Sequence, residues 1–171
     1  MRRVLILLFS LLLVAGCGAQ TAADGAVSLI EGDFASQNGI DLSNAVCDSP
    51  ATEAVGTTFS CTAVHAGRSV NFDVLIDRED HITVSSTNVV YPPALEAIEA
   101  TIVDSVNERG ELGLPPGSVD CGDVPVVLDV NRIFVCGLTE PDTANVFDTF
   151  VRVQDMDNLI FDFEFAPEPR P

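Results

Sequence analysis

Four of the five cysteines fall into two pairs, Cys47 with Cys61 and Cys121 with Cys136. The spacing within a pair is 14 residues in one case and 15 in the other, and corresponding cysteines lie 74 and 75 residues apart. Superposing the pairs brings other residues into register. Val55-Gly56-Thr57-Thr58-Phe59-Ser60-Cys61 falls over Val130-Asn131-Arg132-Ile133-Phe134-Val135-Cys136. Gly56 opposite Asn131 pairs the two residue types that most readily take a positive φ in a turn. Val74 to Ile82 then falls over Val151 to Leu159, an apolar alternation that breaks at an acidic turn and resumes in both. A fixed period with matched turn chemistry reads as a tandem duplication.

Each copy has the same order of signals. Val27, Ile30 and Phe34 lie at helical spacing and predict a helix over 26–36. Leu95, Ile98, Ile102 and Val106 predict another over 93–109, with Pro93 in its first turn and Gly110 past its end. Strands follow each first cysteine. Ser69 to Ile76 alternates Val70, Phe72, Val74 and Ile76 with Asn71 and Asp73, and Leu159 to Phe165 alternates three phenylalanines with Asp162 and Glu164. Period-two patterns joined by short polar turns make antiparallel sheets with one wet face. The expected fold is therefore α+β, with two tandem modules (26–91 and 92–166), each one helix packed on three or four antiparallel strands. A short Pro-rich tail, 167–171, closes the chain.

Units of about 70 residues bury too little surface to be comfortably stable alone, and exported ones are commonly stapled. Four cysteines permit three connectivities. The repeat selects Cys47–Cys61 and Cys121–Cys136, because each copy must then close by itself. A loop of about 15 residues closed this way stabilises by roughly 3 kcal/mol. Zinc is the competing use, but neither pair has the short Cys-x₂₋₄-Cys spacing of a zinc knuckle.

The fifth cysteine belongs to a different pattern. Met1-Arg2-Arg3 is followed by an apolar run, Val4 to Val14, interrupted only by Ser10. Eleven helical residues rise about 16 Å, half of a bilayer core, which suits a secretory signal and not a span. Leu13-Val14-Ala15-Gly16-Cys17 resembles the bacterial lipobox, and that resemblance implies cleavage before Cys17 and a diacylglyceryl group on its sulfur. The expectation is a signal peptide over 1–16, a lipid-anchored tether over 17–25, and a body held outside the cytoplasmic membrane. Two acyl chains suffice for stable anchoring.

From Val46-Cys47 through Val55-Gly56-x-x-Phe59-x-Cys61, an alternating strand and an acidic turn, the chain resembles a Cys-paired domain of unknown function. That family occurs in lipid-anchored and secreted proteins of high-GC Gram-positive bacteria. The likeness covers 43–90 well and 118–165 less fully. Asp48 stands where the family usually has Pro, and Gly122 and Asn131 depart from it in the second copy. The family offers no catalytic residue to carry over. Two tandem helix-plus-sheet units with a disulfide each are also similar, in fold alone, to secreted beta-lactamase inhibitor protein.

Charge excludes one class of partner. The chain has 8 cations, all arginine, against 26 acids, for a net charge of −18. Affinity for a phosphate backbone comes from cations that release counterions, so nucleic acid is not a partner. Enzyme signatures are missing as well. There is no G-x-S-x-G, H-E-x-x-H, P-loop or dinucleotide glycine pattern. His65 and His81 stand at turns in the first copy only, with no repeated partner. The acidic turns Asp77-Arg78-Glu79-Asp80 and Asp155-Met156-Asp157-Asn158 raise calcium, but a loop starting at Asp155 has Leu159, Ile160 and Ala166 where an EF-hand needs an oxygen ligand, Gly and Glu. The expected function is a non-enzymatic envelope lipoprotein without cofactor or metal, binding a protein or small ligand on a sheet face or between the copies. Weak calcium or cation binding by the turns is the alternative.

Overall fold

The computed structural model describes residues 21–110 and 113–171. The signal peptide expected over 1–16 and the lipid site expected at Cys17 lie outside the described residues. Three helical pieces run on from one another at the start: α1 (Ala22–Leu29), a π-helical turn (Ile30–Phe34) and α2 (Ala35–Asn38). The helix begins four residues before the expected Ala26, inside the segment expected as tether. Its start has a physical cause: the Thr21 hydroxyl accepts from the Asp24 N–H, and the Asp24 carboxylate accepts from the Thr21 N–H, a reciprocal capping box. Then come β1 (Ser43–Cys47), β2 (Thr58–His65), β3 (Arg68–Arg78), β4 (His81–Ser86) and β5 (Val89–Val90). After α3 (Pro92–Arg109) follow β6 (Val119–Asp120), β7 (Val126–Val127), β8 (Ile133–Thr139), β9 (Val146–Asp155) and β10 (Ile160–Pro169).

The class is α+β with antiparallel sheets. One four-stranded sheet has the order β1-β2-β3-β4 and the other β10-β9-β8-β6, while β5 and β7 form a two-stranded ribbon. In the first sheet the inward residues Phe59, Cys61, Ala63, Val70, Phe72, Val74 and Ile76 pack on Ala26 and Ile30. Phe34 meets Phe72 edge to face, with centroids 5.3 Å apart, and burying a ring such as Phe72 contributes about 1.5–3 kcal/mol. In the second sheet Phe134, Cys136, Leu138, Val151 and Val153 pack on Leu95, Ile98, Ile102 and Val106 of α3. Gly110 ends α3 in the left-handed region, at φ +70°.

Both disulfides join an edge strand to its neighbour. Cys47 lies directly opposite Cys61, and the two are bonded with Cα atoms 4.0 Å apart. Cys121, one residue beyond β6, is bonded to Cys136 with Cα atoms 4.1 Å apart. The turns that lead into β2 and β8 correspond too: the Thr57 N–H donates to Ala54 O and the Arg132 N–H to Asp129 O. The positive φ moves by one residue, however. Gly56 has φ +90°, whereas in the later turn it is Arg132, not Asn131, that sits at φ +56°. Asn131 instead donates its N–H to the Asp129 side chain, which closes the turn locally.

Two differences from the expected elements shape the surface. β10 continues through Pro169, into residues expected as a tail; proline is tolerated there because β10 is an edge strand. Beyond it, Arg170 donates its backbone N–H to Val146 O and its Nε to Asp148. The second difference is the ribbon, in which Val89 pairs with Val127 and Val90 with Val126. Val127 thereby enters the core under the first sheet and Val90 the core under the second. No helix among the described residues is long and apolar enough to cross a membrane.

Candidate protein-binding surface

The outward faces of the two sheets differ. On the first, Ser60, Asp73 and Ser85 lie side by side across β2, β3 and β4, with Thr62 beside Asn71 in the next row. Alternation predicts this polar block; the apolar residues exposed on the same face, Val46 and Leu75, stand apart on either side of it, beside Thr62 and beside Thr58 and Thr83. On the second sheet the row that corresponds to Ser60–Asp73 is Val135–Phe150–Glu164, and beside it lies Ile133–Arg152–Asp162. Val135 and Phe150 are paired neighbours and remain 45% and 37% exposed. A depression of about 350 Å³ lies here, lined by Ile133, Phe150, Arg152, Asp162, Phe163 and Glu164. Apolar side chains set among charges on a face where solvent should be met are the mark of an interaction surface. The signal was in the sequence: Ile133-Phe134-Val135 and Phe150-Val151 are unbroken apolar runs, so each strand presents apolar residues to both faces.

On its inward side β10 carries a row of phenylalanines. Phe161 and Phe163 have ring centroids 6.5 Å apart, and Phe163 and Phe165 5.5 Å. The Arg109 guanidinium lies 5.9 Å from the Phe163 ring centroid, a cation–π contact that closes the end of the core where α3 stops.

The crevice between the two halves is a joint. It measures about 370 Å³ and is lined by Arg68, Ser69, Asn71 and Asn88 on one side and Leu128, Asp129 and Val130 on the other. Asn88 Nδ2 donates to Ser69 O and Leu128 O, its Oδ1 accepts from the Asn71 N–H, and Arg68 Nη1 donates to Val127 O. Those polar groups hold the halves together and leave few free for a ligand.

His65 and His81 stand at opposite ends of the 11-residue strand β3, paired with Arg68 and Arg78. At about 3.3 Å per residue they are some 30 Å apart and share no site. His65 Nδ1 donates to Asp41 O at 2.9 Å. His81 Nδ1 is 2.5 Å from Asp77 Oδ1, and the Thr83 hydroxyl donates to the other oxygen of Asp77 and not to the imidazole. The His81 hydrogen bond holds the Asp77 carboxyl below the usual carboxylate range.

The later acidic turn is closed by its own hydrogen bonds. Asp155 Oδ1 accepts from the N–H groups of Asp157 and Asn158, and its Oδ2 from the Asn158 side chain. Chiefly through that side-chain bond, Asn158 lowers the Asp155 pKa. Among the described residues no three His, Cys, Asp or Glu side chains converge as a metal site. Comparison with protein-family models, with curated proteins and with solved structures returns no match for this chain.

Proposed function

We propose that this chain is a duplicated envelope lipoprotein, anchored through Cys17 outside the cytoplasmic membrane, that binds a protein partner on the outward face of its second sheet. Duplication is supported by the common strand order, the disulfide placed alike in each half, and the matched turns at 54–57 and 129–132. The lipobox-like Leu13-Val14-Ala15-Gly16-Cys17 supports the anchor. The observation that carries the binding reading is the contrast between the two outward faces. On one the exposed apolar residues, Val46 and Leu75, are separated by polar rows, and on the other Val135 and Phe150 are paired neighbours amid Arg152, Asp162 and Glu164. A joint whose polar groups are already paired favours contact with a protein over carriage of a small ligand.

The test is affinity capture from the cell envelope with the full chain and with a Val135→Asp/Phe150→Asp variant. Both positions are partly exposed. Because the two aspartates would stand opposite each other and repel, the uncharged Val135→Thr/Phe150→Thr is run beside it, and a variant counts only where its circular dichroism matches the parent's. The expected result is a partner retained by the parent and lost by the variants. Equal recovery by parent and variants, or recovery no better than with a charge-matched control protein, overturns the reading. Metabolic labelling with a fatty acid, lost in Cys17→Ala, checks the anchor separately.

A further inference from the structure

The second sheet ends in an open edge. The Val153 N–H donates to Arg132 O, so the backbone groups of Val153 point toward β8. By alternation those of Arg152 and Phe150 point toward β10, where they face Asp162 and Glu164. The N–H and C=O groups of Phe161, Phe163 and Phe165 are therefore turned outward. Among the described residues no strand pairs with that side of β10. The strand is ten residues long, but Pro167 and Pro169 have no N–H and the regular register on β9 runs from Phe161 to Phe165, so the template is about 16 Å.

Its side chains say what fits. Asp162 and Glu164 flank Phe163 on the outward face, in a chain of net charge −18. A second copy is a poor occupant: two β10 strands paired antiparallel about Phe163 would set Asp162 of one opposite Glu164 of the other, twice. Like charges directly opposite destabilise a ladder, a recognised guard against self-pairing.

We propose that β10 accepts a basic, extended peptide segment of a partner as a further strand of the second sheet, with cationic residues opposite Asp162 and Glu164 and an apolar residue opposite Phe163. This rests on the reading that the adjoining face binds protein, and it adds the mode of binding and the partner's chemistry. Main-chain hydrogen bonds to Phe161, Phe163 and Phe165 hold the strand, and alternate side chains select it. Association is steered by charge and weakens as salt rises.

The test uses the full chain and three seven-residue peptides: one alternating Arg and Val, one of the same composition with its arginines in a block, and one alternating Glu and Val. Binding is followed by amide hydrogen exchange. The expected result is exchange at Phe161, Phe163 and Phe165 slowed at least tenfold by the Arg–Val alternator, with the other two peptides at least tenfold weaker. Asp162→Arg/Glu164→Arg, at exposed positions, weakens the alternator at least tenfold. Equal binding of the blocked peptide, or binding that leaves those three amides unprotected, overturns the proposal. So does protection of the same amides in a dimer without peptide. If Val135→Asp/Phe150→Asp abolishes envelope capture while no peptide protects β10, the binding face stands and the strand-addition mode falls. Protection of β10 by the alternator supports the edge even where envelope capture fails.

Discussion

Phe72 and Thr149 occupy corresponding places in the two sheets: Phe72 is paired with Cys61, and Thr149 with Cys136. Phe72 fills its place with a ring packed edge to face on Phe34. Thr149 is 0% exposed, and its hydroxyl has no hydrogen-bond partner among the described residues. The second core thus carries a polar atom where the first has an aromatic ring. A buried hydroxyl left unpaired costs about 1–3 kcal/mol.

Thr149→Val removes that oxygen at nearly constant volume. It is expected to raise stability by about 1 kcal/mol in chemical denaturation, seen as a rise in Tm of roughly 2–4 °C. Phe72→Ala acts in the opposite direction. It empties a close-packed site and is expected to cost about 3–5 kcal/mol. A neutral or destabilising Thr149→Val would mean that the hydroxyl is paired in solution.

The two disulfides invite a direct comparison. Each closes a loop of similar length, 14 or 15 residues, so the chain-entropy argument assigns both about 3 kcal/mol. The double variants Cys47→Ala/Cys61→Ala and Cys121→Ala/Cys136→Ala are each expected to lose about that amount in urea titrations. Peptide mapping of the oxidised protein is expected to show crosslinks within each pair and none between the pairs.

What the sequence made legible, and what it hid, divides along physical lines. Helix α3 and the long strands were readable because periodicity extends over many residues: Leu95, Ile98, Ile102 and Val106 repeat a helical step, and Val70 to Ile76 alternate cleanly. The ribbon of Val89-Val90 with Val126-Val127 was not readable, since two residues carry no period and their pairing is set by tertiary docking. The start of α1 was legible in principle. Thr21 with Asp24 three residues on is a capping signature, but the small residues around Gly25 masked it. The π-helical turn at Ile30–Phe34 has no signal of its own. The binding face was legible in part: alternation that turns Phe134, Cys136 and Val151 inward leaves Val135 and Phe150 outward, but only the register of β8 on β9 makes those two neighbours.

Acid should weaken the fold through two turns. Asn158 holds the Asp155 carboxyl below its ordinary value of 3.8, and His81 does the same for Asp77. A carboxyl that is more acidic in the folded chain than in the unfolded one contributes stability above the unfolded value. That contribution is lost as pH falls through 3.8 and below. Both groups are solvent-accessible, so the effect is small. Asp155→Ala and Asp77→Ala are expected to be less stable than the parent near neutral pH, with the difference shrinking as pH drops well below 3.8. A difference that stays constant down to pH 2 would show that the carboxylate charge is not what these turns use.

One amide supplies most of the side-chain hydrogen bonds of the joint between the halves. Asn88 donates to Ser69 O at 2.9 Å and Leu128 O at 3.2 Å, and accepts from the Asn71 N–H at 2.8 Å. It thereby ties the first sheet to the segment that sends Val127 into its core. Asn88→Ala removes three hydrogen bonds and is expected to cost about 2 kcal/mol. Because the two cores are otherwise separate, the loss should fall on their coupling, turning one calorimetric transition into two. Asn88→Asp keeps the acceptor toward Asn71 but cannot donate to Leu128 O, so it should also broaden or split the transition. A single sharp transition in Asn88→Ala would show that the Val89–Val90 ribbon and the Arg68 bond to Val127 O couple the halves without it.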